Sequence, residues 1–349
     1  MKVLGYAAKS AQAPLAPLEF TRREPRPDDV VIEVLYCGVC HSDLHQARND
    51  WGISLYPLVP GHEVVGRVTE VGSEVTQFKP GDLAGIGCMV DSCRECQPCR
   101  QGLEQYCEEG SIQTYNGLDR HDHQPTYGGY SQKIIASQDF VLRIPDSLDL
   151  KAVAPLLCAG ITTWSPLRKW NVTKGSKVAV VGLGGLGHMA LKLAQAMGAD
   201  VTLFTRSKSK EADACRLGAH HIVLSSDPAQ MEAVSNHFDL IIDTVPYEHD
   251  INPYMTTLAL DGTLVFVGQL GHVEPPLNTM PMVLGRRSIA GSCIGGIAET
   301  QEMLDFCGKH GIVSDVEVIN IQQINDAYER LLKSDVKYRF VIDMASLKA

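Results

Sequence analysis

No run of the sequence approaches the roughly 18 unbroken apolar residues that a membrane-spanning helix needs, so nothing in it predicts a span. Internal repeats and low-complexity tracts are also missing, which excludes solenoid and array architectures. An excess of basic charge is absent: 31 Lys and Arg against 41 Asp and Glu leave a formal net charge of −10. Nucleic acid or an anionic membrane would repel such a chain at long range, although a local basic cluster can still hold a small anionic cofactor. The start, MKVLGYAAKSAQAP, has too short an apolar run for a signal peptide, and Lys9 interrupts it. A cytoplasmic, reducing setting is the expectation. The eleven cysteines, odd in number and spread along the chain, fit free thiols and metal ligands better than a disulfide framework.

What is present is globular, with 44% hydrophobic and 21% charged residues. At 349 residues the chain is long enough for about two domains. Residues 1–150 are short strand-like runs closed by Gly and Pro (DVVIEVLYCGVC, HEVVGRVTEVG, KPGDLAGIGC, GGYSQKIIA), which predicts a compact β-rich domain. From Lys177 the pattern changes to KVAVVG, VTLFT, HHIVLS, FDLIIDTV, GTLVFVG and SIAGS, with helical stretches between several of them. Six strands alternating with helices predict a doubly wound parallel sheet, so the fold class is α/β. After Gly296, two helices and two strands ending in YRFVIDM either extend that sheet or return to the first domain; pattern alone leaves both open.

VAVVGLGGLGHMALKLA sets Gly182, Gly184 and Gly187 as G-x-G-x-x-G between a strand and a helix, with Gly185 and Leu186 in the turn. The first glycine permits a tight turn and the second lets the backbone approach a pyrophosphate. The third lets helix and strand pack closely, and the helix N-terminus supplies amide donors. In such folds the second strand usually ends in an acid that binds the ribose 2′-hydroxyl of NAD. Here it ends Thr205, Arg206, Ser207, Lys208, with Lys210 following, while Asp200 sits at the strand's other end. Hydroxyls with Arg and Lys suit a 2′-phosphate that an acid would repel. The reading is NADP(H), with Lys208 also explicable as a solvent-facing base.

Cys93, Cys96, Cys99 and Cys107 fall as C-x2-C-x2-C-x7-C. Structural zinc takes four thiolates tetrahedrally and leaves no position for water. A [4Fe–4S] cluster also uses C-x2-C-x2-C, but its usual continuation, a three-residue spacer and Cys-Pro, is missing. Spacing therefore favours a structural zinc that staples a loop. A catalytic zinc needs three protein ligands and an exchangeable position. Candidates for it lie in CGVCHSDLH, PGHE and LLCAG: Cys40, His62 and Cys158, with Glu63 beside the histidine. Singly each reads as an ordinary core or turn residue.

Together these motifs carry a resemblance. GHE followed by V-x-G, the four-cysteine lobe and GxGGxG resemble the zinc-dependent medium-chain alcohol dehydrogenases. GVCHSDLH, PLLCAGITT, GLGGLGHMALK, GGIAETQEMLDF and YRFVID resemble their cinnamyl alcohol dehydrogenase-like branch, bacterial aldehyde reductases included. The resemblance runs nearly end to end. It implies a GroES-like catalytic domain over 1–150, completed by 291–349, and a Rossmann NADP-binding domain over 151–290. It implies two zinc ions per chain: a catalytic one on Cys40, His62 and Cys158, which Glu63 can approach, and a structural one on the cysteine lobe. Asp43 would buttress His62 and fix its tautomer. Ser42 and His45 would relay a proton, and Ile294 would lie beside the nicotinamide. A homodimer is the family expectation.

The implied chemistry is hydride exchange between NADP(H) and an aldehyde or primary alcohol. Plant cinnamyl alcohol dehydrogenases commonly carry a tryptophan where this chain has Gln113, which argues for a broader aldehyde reductase, aromatic and aliphatic, over a dedicated lignin-precursor enzyme. Trp51, just after the relay residues, either shapes the substrate or is plain core. Three rivals remain: a zinc-free quinone or enal reductase, against which the Cys40–His62–Cys158 set weighs; a zinc-finger recognition module, against which the acidic neighbours Asp91, Glu95, Glu104, Glu108 and Glu109 weigh; and a catalytically silent NADP sensor.

Overall fold

The computed structural model describes residues 1–268 and 271–348. Met1–Cys158 with Gly295–Ala349 make one compact unit, and Ala159–Ile294 make the other.

The first unit is organised around the eleven-residue strand Asp29–Val39. Its near-continuous apolar sequence predicts cover on both faces, and Glu33 is its one well-exposed residue. It pairs antiparallel with Val64–Val71, Lys133–Ser137 and Arg339–Asp343. Val316–Asn320, Leu83–Ile86 and Leu142–Arg143 complete a seven-stranded sheet. The closing strand therefore returns to the first unit, with Phe340 in register with Val39 and Ile342 with Cys37. Val30, Ile32, Val39, Val64, Ile134 and Phe340 are all buried in one core.

The division of the chain follows packing rather than the change of pattern. Leu150–Val153 and Ala154–Leu157, which the resemblance places from residue 151 onward in the second domain, lie against strands of the first unit. The units consequently divide after Cys158 and after Ile294.

The second unit is a six-stranded parallel sheet. Its spatial order is His221–Leu224, Asp200–Thr205, Lys177–Val181, Phe238–Asp243, Leu258–Phe266 and Ser288–Gly291. Numbered along the chain that is 3-2-1-4-5-6, the doubly wound order. Val178, Ala179, Val180 and Val181 are buried, as a strand covered on both faces requires. Helices Gly187–Ala196, Glu211–Arg216 and Pro228–Ala233 follow the predicted alternation. The short helices Asn252–Thr257 and Met280–Gly285 were not predicted from the pattern. Among the described residues no helix is long and apolar enough to cross a membrane.

Because Phe340 ties the C-terminal strand into the first unit's core, Phe340→Ala should cost roughly 3–5 kcal/mol. The check is the midpoint of chemical denaturation followed by circular dichroism.

Candidate active site and metal centres

The strand Asp29–Val39 ends one residue before Cys40, which directly precedes the helix His41–Ala47. Asp43, in the first turn of that helix, is fully buried. Its carboxylate accepts the Cys40 N–H at 2.9 Å, the Gly61 N–H at 3.1 Å, and the Tyr130 hydroxyl at 3.3 Å. It also meets His62 Nδ1 at 3.0 Å. One buried anion thus ties the Cys40 turn to the PGHE turn. With Nδ1 held by the carboxylate, His62 keeps Nε2 for a metal. Burial pushes the His62 pKa down, but the Asp43 charge and hydrogen bond outweigh it, and the ring titrates well above its ordinary range.

Glu63 enters from the strand edge beside His62. Its Oε1 pairs with Arg339 of the C-terminal strand, and both side chains are buried. Its Oε2 is buried with no hydrogen-bond partner. Burial raises the carboxyl to about 7. A Cβ at Gly38 would overlap that carboxylate, so only glycine leaves Glu63 its room. Cys158 closes the set from the end of the turn Ala154–Leu157. Ligand atoms of Cys40, His62, Glu63 and Cys158 lie within 4.8 Å of one another. The nearness of the two thiols holds Cys40 well below its usual range and Cys158 well above it. Two soft thiols, an oriented imidazole and an orphaned carboxylate oxygen are a donor set that suits zinc.

The second cluster has a different character. The sulfur atoms of Cys93, Cys96, Cys99 and Cys107 also lie within 4.8 Å of one another. The Cys93 and Cys99 sulfurs are 3.8 Å apart, and thiolates on a tetrahedral zinc at 2.3 Å stand about 3.8 Å apart. A disulfide would need about 2.05 Å. Backbone N–H groups of Cys93, Cys96 and Glu108 point at the Cys107, Cys93 and Cys96 sulfurs at 3.3 to 3.5 Å. The Glu108 N–H heads the causes that lower the Cys96 thiol to about 7, while burial lifts Cys99 to about 12. All four donors are sulfur, and the set is complete without water or substrate. Glu104, between Cys99 and Cys107, accepts the Ile297 N–H at 3.1 Å and so caps the helix Ile297–His310.

Ser42 and His45 lie on the helix His41–Ala47, three residues apart and on one side. His45 is one-third exposed, and its Nδ1 meets Asp50 at 2.7 Å. The Trp51 ring lies beside His45, with ring centroids 5.6 Å apart and planes tilted by 33°, and is itself exposed, which removes its reading as plain core. Gln113 is exposed on the short strand Ile112–Gln113.

In the second unit, Gly182 has φ of 89° at the end of Lys177–Val181. A Cβ at Gly187 would overlap the Gly182 carbonyl, whereas one at Gly184 would meet nothing within 4 Å. The turn is therefore tight on its inner side and open at Gly184, where a pyrophosphate would approach. Gly185 and Leu186 lie in it, with Leu186 directly before the helix Gly187–Ala196. Thr205 ends its strand buried, and Arg206 and Ser207 follow exposed. Lys210 Nζ reaches back to the Leu183 carbonyl at 3.1 Å, which brings the basic segment against the glycine turn. Lys208 is exposed. Ile294 stands at φ 37°, a left-handed conformation that a β-branched residue adopts only under strain.

Sequence reasoning missed Arg339, Gly38, Tyr130, Glu104 and Asp50. Arg339 and Glu63 are 276 positions apart, and no spacing signal links them. Gly38 offered a weak signal, a glycine inside an otherwise apolar strand, which marks a close approach.

Residues 26–146 match the alcohol dehydrogenase GroES-like domain, and residues 185–309 match the zinc-binding dehydrogenase family. An NADP-dependent alcohol dehydrogenase C of Mycolicibacterium smegmatis is 54% identical over 350 residues, covering 99% of each chain. The aldehyde reductase YahK of Escherichia coli is 53% identical over 348 residues, again covering 99% of each. A solved cinnamyl alcohol dehydrogenase of Sorghum bicolor superposes with a TM-score of 0.95 at 47% identity, covering 100% of this chain and 99% of that one. The fold is that of a zinc-binding dehydrogenase. More narrowly, the chain belongs to the zinc-dependent medium-chain alcohol dehydrogenases, in their cinnamyl alcohol dehydrogenase-like branch.

Asp43→Asn removes the charge that orients His62. Zinc at that site should yield to a competing chelator with roughly 10–100-fold weaker affinity, read by competition with a metal-sensitive dye, while the four-cysteine site is unmoved.

Proposed function

We propose that this enzyme interconverts aldehydes and primary alcohols with NADP(H), working as an aldehyde reductase of broad aromatic and aliphatic range, and that it carries two zinc ions with separate duties. The observation that carries this is the buried convergence of Cys40, His62, Glu63 and Cys158, distinct from the four-cysteine set. Three of these residues are ligands in the proposal, and Glu63, held by Arg339, can approach the same position. Cys93, Cys96, Cys99 and Cys107 hold the structural ion.

When bound, zinc supplies Lewis-acid polarisation of the substrate oxygen, and the nicotinamide supplies the hydride. The protein's part is positioning and proton handling. Asp43 fixes the His62 tautomer. Ser42 donates a hydrogen bond at the reacting oxygen, and His45, braced by Asp50, carries the proton to solvent. Trp51, in ring contact with His45, limits how the substrate's far end can lie. The glycine turn Gly182–Gly187 takes the pyrophosphate, Ile294 contacts the nicotinamide end, and Thr205, Arg206, Ser207 and Lys210 take the 2′-phosphate.

A homodimer is part of the proposal. Ser288–Gly291 is the last strand of its sheet among the described residues, and an open edge invites pairing with another copy. Leu260, Met280, Val283 and Leu284 are exposed in the same unit.

Three outcomes test the reading. Cinnamaldehyde should be reduced with NADPH and far more slowly with NADH at equal concentration, read as the loss of near-ultraviolet absorbance; no turnover across a panel of aldehydes by zinc-replete protein would favour the silent sensor. Arg206→Ala should raise the NADPH KM about tenfold or more, the worth of one charge-assisted hydrogen bond, with NADH little changed. Leu284→Asp should move the mass measured by light scattering from dimer toward monomer.

A further inference from the structure

Arg206 is an exposed side chain at the end of a strand, and a long exposed arginine samples many rotamers. In this fold it does not stand alone. Its Nη2 donates to the Tyr247 hydroxyl at 2.9 Å, and its guanidinium carbon lies 5.9 Å from the centre of the Tyr247 ring. The two residues are 41 positions apart, on segments that follow the strands Asp200–Thr205 and Phe238–Asp243, which flank Lys177–Val181 in one sheet. Tyr247 is half-exposed, so burial does not account for where its ring sits.

The Tyr247 segment is itself anchored. His249 Nδ1 meets the Tyr247 carbonyl at 2.9 Å. His249 Nε2 meets Asp243 Oδ2 at 2.9 Å, a close ion-pair contact rather than a well-aligned hydrogen bond. Asp243 is fully buried, and its other oxygen accepts the Val245 N–H at 3.1 Å. Both ring nitrogens of His249 therefore face acceptors, which the imidazolium form satisfies best. The Asp243 carboxylate, foremost, lifts the His249 pKa above its ordinary value. A buried carboxylate at the sheet's carboxyl edge thus holds a histidine, the histidine holds the tyrosine's backbone, and the tyrosine holds the arginine.

We propose that Tyr247, secured by His249 and Asp243, is a positioning residue for cofactor choice: it pre-orders the Arg206 guanidinium to receive the 2′-phosphate of NADP(H). This rests on the reading of Arg206 as a 2′-phosphate ligand. Arg206 has five N–H donors, and the Tyr247 hydroxyl engages one Nη2 donor, leaving the rest of the fork for phosphate oxygens. Fixing the side chain before the cofactor arrives removes an ordering cost of binding that only the phosphorylated cofactor would otherwise bear. NADH, with no 2′-phosphate, gains nothing from it. Tyr247 itself need not touch the cofactor.

The test is a titration of NADPH and NADH by fluorescence on the full-length enzyme, for the wild type, Tyr247→Phe, Arg206→Ala and the double variant. Tyr247→Phe keeps the ring and removes the hydroxyl; it should weaken NADPH roughly two- to tenfold, the range of ordering one long side chain, and leave NADH unchanged. In the Arg206→Ala background the same substitution should have no further effect. His249→Ala should weaken NADPH alone, in a way not additive with Tyr247→Phe. If Arg206→Ala loses NADPH preference and Tyr247→Phe does not, positioning by Tyr247 is refuted while the phosphate reading stands. An equal loss from Tyr247→Phe with and without Arg206 would make Tyr247 a direct contact and refute it too. If Arg206→Ala leaves the preference intact, the phosphate reading fails and this inference falls with it.

Discussion

The Asp43 carboxylate is the constraint on which the rest of the site depends. It is buried without a cationic side chain fully its own, and its charge is met by two backbone N–H groups, a tyrosine hydroxyl and the His62 ring. Burying a carboxylate is expensive unless each oxygen is satisfied, and here satisfying it requires the Cys40 turn, the PGHE turn and Tyr130 to occupy one arrangement. The same contacts that solvate the anion fix the tautomer of His62 and the position of Cys40. Folding stability and ligand geometry are thus set by one group.

A buried ion pair, Glu63 with Arg339, draws the C-terminal strand into the same site. Buried pairs contribute little net stability, but losing one partner strands the other charge. The pair therefore acts more as a register device than as a source of energy: Arg339 meets Glu63 only when the closing strand is docked along Asp29–Val39. The four-cysteine lobe makes a comparable long-range link through Glu104, which caps the helix Ile297–His310. Both links bind the chain's last segment to its first domain.

Much of this could be read before any coordinates. The strand–glycine turn–helix at Lys177–Ala196, the parallel alternation after it and the basic residues where an acid usually stands follow from local chemistry, because each involves neighbours in sequence. The four-cysteine set was legible for the same reason. The candidate ligands Cys40, His62 and Cys158 were visible only through resemblance, since their convergence is made by tertiary packing. Arg339 and Tyr247 were invisible because their partners are strands away, where hydrophobic period and turn signals carry no information, and Gly38 left only the weak signal of a glycine inside an apolar strand. The return of the C-terminal strands was left open by pattern and decided by pairing with Asp29–Val39.

The central claim is that two metal sites divide the labour, one for turnover and one for folding. The direct measurement is graded chelation of the full-length enzyme, following zinc content, aldehyde reduction and the unfolding midpoint together. The account predicts two zinc ions per chain at the start, activity lost with removal of one, and the midpoint falling only when the other leaves. Full activity after both are gone, or a single zinc whose loss removes activity and fold in one step, would contradict it.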